Sequence, residues 1–353
     1  MSRIFAELIR RSRRISRDEF ATDFGGVAID VIDMLTSDAA REVVRTARQA
    51  METAPPLPDG GQRLRQVDFG RFSTAPELER GEVAAVDGTP ALPIQMYSAG
   101  QALCVGVGSL SHRRPMRDTM HYWSSRAFLA EADGPGDFIA REQQGLFGIS
   151  QTAYLRYFEV LHGIEIDEPL VLFDGTLVYE WLTATREGVD LYERLFASGK
   201  RALGVMKSVS ANAVFASLAR AMNPGEVYIH ETLADHLERS RAPNANHGEA
   251  GRFALPGFVN GVARSILRGL FKPAKKAFGF EVHAAHLDDM LRIVAADCQL
   301  NHVGHEIPYL LNRVDEEVRA SFRGTILRDR IAVELAAQSE DLFFGEVDER
   351  LMR

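Results

Sequence analysis

The chain has 353 residues, with 41 Lys and Arg against 49 Asp and Glu, which gives a formal net charge of −8 at pH 7. Hydrophobic residues make up 46% and charged residues 25%, so collagen-like, low-complexity and wholly disordered chains are excluded. The net negative charge argues against a protein that coats nucleic acid over its whole surface, but it is compatible with a localised basic groove.

The sequence gives no sign of a membrane span, an export signal or a metal-binding cysteine pair. No stretch reaches the roughly 18 apolar residues of a spanning helix, and Glu7 interrupts the short apolar run near the first residue. We therefore expect a cytoplasmic protein. The two cysteines, Cys104 and Cys298, cannot form a disulfide framework, and no Cys-x-x-Cys pair indicates zinc.

Helical periodicity dominates residues 3–53, where Ser37 is predicted to cap a second helix, and the Pro- and Gly-rich residues 54–61 predict a linker. Further along the chain, strands are predicted at 83–86, 94–97, 102–107, 170–173 and 202–206, with a hairpin of 265–271 and 277–282. Helices are predicted at 128–163, 189–197, 211–221, 286–299 and 306–320, and a charged helical tail at 325–353. This alternation predicts an α/β protein, a mixed sheet flanked by helices.

Two of the predicted strands end in the same tripeptide, Asp-Gly-Thr, at Asp87 and Asp174. Glycine lets the backbone turn away while the carboxylate stays at the edge of the sheet, although Asp-Gly is also a common turn dipeptide. Carboxylates on neighbouring strands could hold a divalent cation, because cations that activate water need hard oxygen ligands. Glu159, on the helix before the second strand, and Asp315 are further candidates, and each could also be a solvated surface residue.

Five motifs resemble, in order and spacing, those of the NurA nucleases. They are Val86-Asp-Gly-Thr89, Leu170-Val-Leu-Phe-Asp-Gly-Thr-Leu177, Gly204-Val-Met-Lys-Ser208, Phe278-Gly-Phe-Glu-Val282 and Ile307-Pro-Tyr-Leu-Leu311. The resemblance implies an RNase H-like nuclease domain at 81–322, between a helical extension at 1–80 and a helical tail at 323–353. It also implies a manganese-dependent nuclease, of the single-strand endonuclease and 5′–3′ exonuclease type, that processes DNA ends as a homodimer with the hexameric ATPase HerA.

Carried over by position, the resemblance assigns the site residues. Asp87, Glu159 and Asp174 would bind one or two Mn²⁺ or Mg²⁺ ions and act in catalysis. Lys207 matches a basic residue that the family often has after the next strand, and it is a further catalytic candidate, although it could also be a solvated lysine at the end of a strand. The closing motif departs from the family, because Asp315 stands where the family has His. We expect Asp315 to bind the cation in its place, since a carboxylate is also a suitable ligand.

Two basic stretches are candidates for binding DNA phosphates, although both could be solvated surface. The first contains no acid between residues 264 and 276, and the second follows a predicted strand. Their candidate residues are Arg264, Arg268, Lys272, Lys275 and Lys276 in the first, and Arg113 and Arg114 in the second.

Two other interpretations remain open. With its altered closing motif, the chain could be a catalytically weak adaptor that docks on an ATPase ring. The sequence around Asp174 is also similar to haloacid dehalogenase-like phosphatases, whose strand ends in Asp-x-Asp-Gly-Thr. Leu172 stands where those enzymes carry the nucleophilic aspartate, so this alternative is the weaker one.

Overall fold

A computed structural model describes residues 10, 16–57, 60–67, 75–90, 94–96, 100–115, 119–128, 146–210, 212–240, 254–300, 307–322, 330, 333–334 and 336–338. The chain divides into two compact units, Met1–Ala54 and Pro55–Arg353. Most of the predicted tail and the first part of the helix predicted at 128–163 lie outside the described residues. Within the described part of the chain, no helix combines the length and apolar character needed to cross a membrane.

The described residues of the first unit include the helices α1 (Arg17–Thr36) and α2 (Asp38–Glu52). Ser16 begins α1 with a capping box, in which its hydroxyl accepts a hydrogen bond from the Glu19 N–H and the Glu19 carboxylate accepts one from the Ser16 N–H. Ser37 begins α2 by accepting the Ala40 N–H at 3.2 Å. The predicted cap at Ser37 is therefore confirmed.

Among its described residues up to Ser321, the second unit contains ten strands and eight α-helices. The strands are β1 (Leu64–Gln66), β2 (Val83–Pro90), β3 (Ile94–Met96), β4 (Gly100–Ser111), β5 (His121–Phe128), β6 (Leu170–Asp174), β7 (Arg201–Met206), β8 (Glu226–Thr232), β9 (Ile266–Lys272) and β10 (Phe278–His283). The helices are α3 (Pro76–Glu79), α4 (Leu146–Glu165), α5 (Arg186–Ala197), α6 (Ala213–Ala221), α7 (Leu233–Ser240), α8 (Pro256–Asn260), α9 (Leu287–Gln299) and α10 (Tyr309–Ser321).

All ten strands form one mixed sheet in the order β1-β8-β9-β10-β7-β6-β2-β4-β3, with β5 also paired to β4. β2 lies between antiparallel β4 and parallel β6, and β6 is parallel to β7. The run β5-β4-β2-β6-β7 thus has three antiparallel strands followed by two parallel ones, which is the strand order of an RNase H-like sheet. The predicted fold class, an α/β mixed sheet flanked by helices, is confirmed.

Helices cover both faces of the sheet, so the central strands are buried on both sides. In β2, Val83 and Ala85 join the core with α9 and α10, whereas Ala84 and Val86 join the core with α4 and α5. β6 divides its residues in the same way. Because successive side chains of a strand point to opposite faces, burial on both faces produces the continuous apolar runs that made these strands predictable.

The structure corrects the prediction at the first Asp-Gly-Thr. β2 does not end there but continues to Pro90, and Asp87, Gly88 and Thr89 pair with β4. β1, β5 and β8 were not predicted. β1 lies in the residues assigned from sequence to the N-terminal extension, and it pairs with β8 at the edge of the sheet.

The start of α10 is fixed by a side chain from α9. Asp297 is fully buried, and its Oδ2 accepts the Leu310 N–H at 3.0 Å. Pro308, the N-cap residue of α10, makes no side-chain cap hydrogen bond, so Asp297 replaces the missing cap. Burial raises the pKa of Asp297 to about 7, against the lowering effect of the Leu310 and Tyr309 N–H groups.

We predict that Asp297→Asn changes the pH dependence of stability. A carboxyl group whose pKa is raised in the folded state stabilises the fold below its unfolded pKa, and that contribution is lost as the pH rises through the folded value. Asn keeps the acceptor oxygen but cannot ionise. Relative to the wild type, the variant should therefore gain at least about 1 kcal/mol of unfolding free energy between about pH 4 and pH 8.

Urea unfolding at both pH values measures this difference. Asp190→Asn, at an exposed position on α5, is the control and should show no such gain. If the difference in unfolding free energy between Asp297→Asn and the wild type were the same at both pH values, the prediction would be contradicted.

Candidate functional site

Three carboxylates from three elements meet at one edge of the central strands. Asp87 on β2, Asp174 at the end of β6 and Asp315 on α10 each place an oxygen within 4.8 Å of the others. The parallel register pairs Val86 with Phe173, so the aspartates that follow them lie side by side. Of the His, Cys, Asp and Glu residues that the structure describes, these three form the one group with metal-ligand spacing.

The cluster brings three carboxylates of like charge together, and one of them is buried. Asp87 is only 8% exposed. Burial raises its pKa to about 8, and the negative charges of Glu159, Asp174 and Asp315 add to the effect. A positive charge at this point would reduce both the repulsion between the carboxylates and the energetic cost of burying them in ionised form.

Lys207 supplies one such charge. It directly follows β7, the strand beside β6, and its Nζ lies 2.6 Å from Asp174 Oδ2 and 3.9 Å from Asp315 Oδ2. From the exposed side, Arg319 Nε also reaches Asp315 Oδ1 at 2.8 Å. The structure thus brings Asp87, Asp174, Asp315 and Lys207 together, as the sequence predicted.

Glu159 lies beside this group but is held by another residue, Arg156, which was not predicted. Arg156 Nη1 donates to Glu159 Oε2 at 2.6 Å and to the main-chain oxygen of Asp174 at 2.5 Å. Both residues lie on α4, three positions apart, and Glu159 is only 2% exposed. An Arg-Glu pair at this spacing is common on exposed helix surfaces, so the sequence carried no signal that this one is buried at the site.

The glycine of each Asp-Gly dipeptide lies against side chains of α4. A Cβ on Gly88 would lie 2.6 Å from Leu155 Cδ1 and 3.0 Å from Glu159 Oε1. Gly175 has φ +98°, and a Cβ there would lie 2.3 Å from Arg156 Nη2. Gly175 therefore permits the turn expected after Asp174, whereas Gly88 lies within a strand and permits close approach of the helix.

The segment that follows Asp174 is tied to two neighbouring strands. The Gly175 N–H donates to the Val205 carbonyl at 2.8 Å, and the Val178 N–H donates to Glu281 Oε2 at 3.0 Å. Glu281, in the motif Phe278-Gly-Phe-Glu-Val282, is 1% exposed. Its carboxylate thus fixes the backbone on one side of the carboxylate cluster.

A basic groove of about 490 Å³ begins at Lys207. Its polar lining comes from the segment after β7, from α6, and from the end of β9 and the turn that follows it. The described polar lining residues include no acid: Lys207, Ser208, Ser210, Arg220, Lys272, Lys275 and Lys276. Lys275 and Lys276 are exposed, and Lys272 Nζ donates to the Met222 carbonyl at 2.9 Å. Three of the predicted DNA-binding residues therefore line a groove that also contains Lys207, the lysine in contact with Asp174.

The other predicted DNA-binding residues lie elsewhere. Arg268 was wrongly assigned to a basic surface, because it is 6% exposed and its guanidinium contacts Glu231 and Glu281 from neighbouring strands. Arg264 is exposed, donates to Asn260 Oδ1 at 3.3 Å and is not among the groove residues.

Arg114 pairs with Asp167 at 2.8 Å, before the start of β6 and thus at the opposite end of that strand from Asp174. Arg113 is its exposed neighbour and packs over Gly81. The second basic stretch therefore does not join the groove.

A second charged network surrounds Arg268. His236 Nε2 lies 2.5 Å from Glu180 Oε1, and its Nδ1 lies 3.3 Å from Glu231 Oε1. Burial lowers the pKa of His236, but the hydrogen bonds to Glu180 and Glu231 outweigh it and raise the pKa above its usual value. Burial likewise opposes the lowering of the Glu231 pKa to about 2, which the His236 hydrogen bond and the charge of Arg268 produce.

Solved structures with similar folds include three nucleases. The NurA nuclease from Sulfolobus solfataricus has a TM-score of 0.39 and 12% identity, over 73% of this chain and 85% of that one. NurA bound to dAMP and manganese has a TM-score of 0.41 and 10% identity, over 84% and 93%. The catalytic domain of human Endonuclease V has a TM-score of 0.32 and 14% identity, over 82% and 98%. No family model and no curated protein sequence matches the chain.

We predict that His236→Gln destabilises the protein most at mildly acidic pH. A histidine whose pKa is raised by folding contributes stability that is fully present below its unfolded pKa and is lost as the pH rises through the folded pKa. Loss of charge-assisted hydrogen bonds should cost about 1–3 kcal/mol of unfolding free energy near pH 6 and less near pH 9. Urea unfolding at the two pH values tests this, and an equal cost at both would refute it.

Proposed function

We propose that the chain is a metal-dependent DNA nuclease whose site is built from Asp87, Asp174 and Asp315. The observation that carries the proposal is the convergence of three carboxylates beside Lys207, which also lines a basic groove. Hydrolysis of a phosphodiester needs a cation at the reacting phosphate and positive charge along the rest of the strand. The two features lie next to each other and share Lys207.

The donor set suits Mn²⁺ or Mg²⁺. Three carboxylates offer hard oxygen ligands and an excess of negative charge, which is the chemistry that these cations prefer. When bound, the cation would supply Lewis-acid activation of water and stabilisation of the leaving oxygen. No His or Cys of the described residues joins the cluster, so a softer metal is a poorer fit.

The protein's own side chains then divide the work. Lys207, at 2.6 Å from Asp174, is placed to contact a phosphate oxygen at the end of the groove. Lys275 and Lys276 would neutralise the phosphates that follow, and their exposure leaves them accessible to a flexible strand. Arg156 and Glu281 hold the backbone around Asp174, which keeps the acid in position.

From the sequence resemblance alone, we further propose that the enzyme is of the single-strand endonuclease and 5′–3′ exonuclease type. On the same basis we propose that it forms a homodimer and works with a HerA-like hexameric ATPase. The adaptor alternative differs from the nuclease in one measurable property, cleavage in the presence of Mn²⁺. The phosphatase alternative is disfavoured further because Leu172, at the position of its nucleophile, is fully buried in the core.

We predict that Asp87→Asn and Asp174→Asn each lower Mn²⁺-dependent cleavage of single-stranded DNA by at least about 100-fold, because each removes a charged ligand of the cation. Circular dichroism should show that both variants remain folded, since Asn has nearly the same shape. Asp190→Asn, on the exposed face of α5, is the matched control and should cleave like the wild type.

The result also separates the alternatives. A wild-type protein without Mn²⁺- or Mg²⁺-dependent cleavage would favour the adaptor. Wild-type cleavage by Asp174→Asn would show that the nuclease site lies elsewhere.

We predict that the double substitution Lys275→Glu/Lys276→Glu weakens binding of single-stranded DNA and reduces its dependence on salt. Loss of two phosphate contacts should lower the slope of log K against log [salt] by about 1.4, at about 0.7 per contact. Fluorescence anisotropy at several salt concentrations measures both quantities. Arg186→Glu, an exposed change on α5 outside the groove, is the control. An unchanged slope in the double variant would rule out the groove as the DNA-binding site.

A further inference from the structure

Glu159 differs from the other three acids of the site in how its carboxylate is used. Its Oε2 accepts a hydrogen bond from Arg156, and its Oε1 lies 3.0 Å from the position that a Cβ on Gly88 would occupy. It does not belong to the group of oxygens that lie within 4.8 Å of one another. The side chain is 2% exposed and is therefore closely surrounded by protein.

Arg156 connects Glu159 to Asp174 through a single nitrogen. Nη1 is 2.6 Å from Glu159 Oε2 and 2.5 Å from the Asp174 carbonyl oxygen, so the guanidinium links α4 to the end of β6. Gly175 leaves the space in which Nη2 lies. A Glu159 carboxylate that moved away from Arg156 to bind a cation would leave a half-buried guanidinium without its hydrogen-bonded carboxylate partner, which is costly.

The charges of the site divide into two balanced sets. Arg156 neutralises Glu159, and Lys207 together with one divalent cation would neutralise Asp87, Asp174 and Asp315. Arg319 also contacts Asp315, but its side chain is 72% exposed, so solvent screens its charge and it contributes little to the charge balance of the site. In the absence of DNA, a single divalent cation therefore suffices to balance the charges.

We propose that Glu159 is a positioning residue and not a ligand of the cation. Held by Arg156, it fixes α4 against the Asp174 end of β6, and one cation is bound by Asp87, Asp174 and Asp315. This inference rests on the proposed function, because it presupposes that the carboxylate cluster binds a divalent cation.

Isothermal titration of the full chain with Mn²⁺, without DNA, tests the inference through binding and not through activity. The wild type should bind one ion. Glu159→Gln can still accept the hydrogen bond from Arg156, so its Kd should stay within about threefold of the wild type. Glu159→Ala loses that contact and should bind about tenfold more weakly, whereas Asp174→Asn should lose more than about 100-fold. Glu165→Gln, at an exposed position on the same helix, is the control.

The pattern of these Kd values decides between the two roles. If Glu159 were a ligand, Glu159→Gln should weaken Mn²⁺ binding as much as Glu159→Ala does. A loss of affinity in Glu159→Gln equal to that in Asp174→Asn would overturn the inference but would still support a metal site. A wild-type protein that binds no Mn²⁺ would overturn the proposed function and the inference together.

Thermal unfolding of the same variants tests the pair itself. Arg156→Gln leaves the buried Glu159 carboxylate unpaired and should lower Tm clearly. Adding Glu159→Gln should restore most of that loss, because no uncompensated charge then remains. Equal or additive losses in the double variant would show that Arg156 and Glu159 do not act as a pair.

Discussion

The parallel pairing of β2 with β6 is the constraint on which the site depends. Val86 pairs with Phe173, and the next residue of each strand is an aspartate, so two carboxylates are forced side by side at the edge of a sheet that helices cover on both faces. In that setting ionised carboxylates repel each other with little screening by water. The neighbouring strand and helix supply the positive charges that hold the two carboxylates there.

Each counter-charge comes from an element that the sheet topology places next to the aspartates. β7 pairs with β6 in parallel, so the residue after its end, Lys207, lies beside Asp174. α4 packs closely enough on β2 to bring Arg156 to the Asp174 carbonyl, and this approach depends on Gly88 and Gly175. The glycines therefore serve the same arrangement. A side chain at Gly88 would press on Leu155 and Glu159, and one at Gly175 would displace the guanidinium of Arg156.

Sequence patterns were sufficient where a signal is local. The continuous apolar runs of β2 and β6 exist because both faces are buried, and each run ends in the aspartate that the site uses. The hairpin of β9 and β10 and the helices α9 and α10 were predicted for the same reason, since their periodicity reflects burial within a single element.

Sequence patterns failed where a residue's environment comes from distant segments. Arg268 lies in a stretch without acids, yet Glu231 and Glu281 reach it from β8 and β10. Arg156 was overlooked because its partner oxygen belongs to Asp174, eighteen positions along the chain. β8 carries Glu226, His230 and Glu231 among its apolar residues, so its run did not resemble a strand of the core. Glu231 is buried there with Arg268 and His236 as its partners, and both come from other elements.

The net charge of −8 illustrates the same limit. Formal charge counts Asp87, Glu159, Asp174 and Asp315 as four negative charges, although Arg156 and Lys207 already offset two of them within a few ångströms. The field that a phosphate strand would meet depends on the side chains facing it, and the groove lining, as far as the structure describes it, contains five basic residues and no acid. Exposed charges separated by more than about 8 Å are largely screened at physiological salt. Local arrangement, and not the sign of the total, therefore decides whether this surface can attract a polyanion.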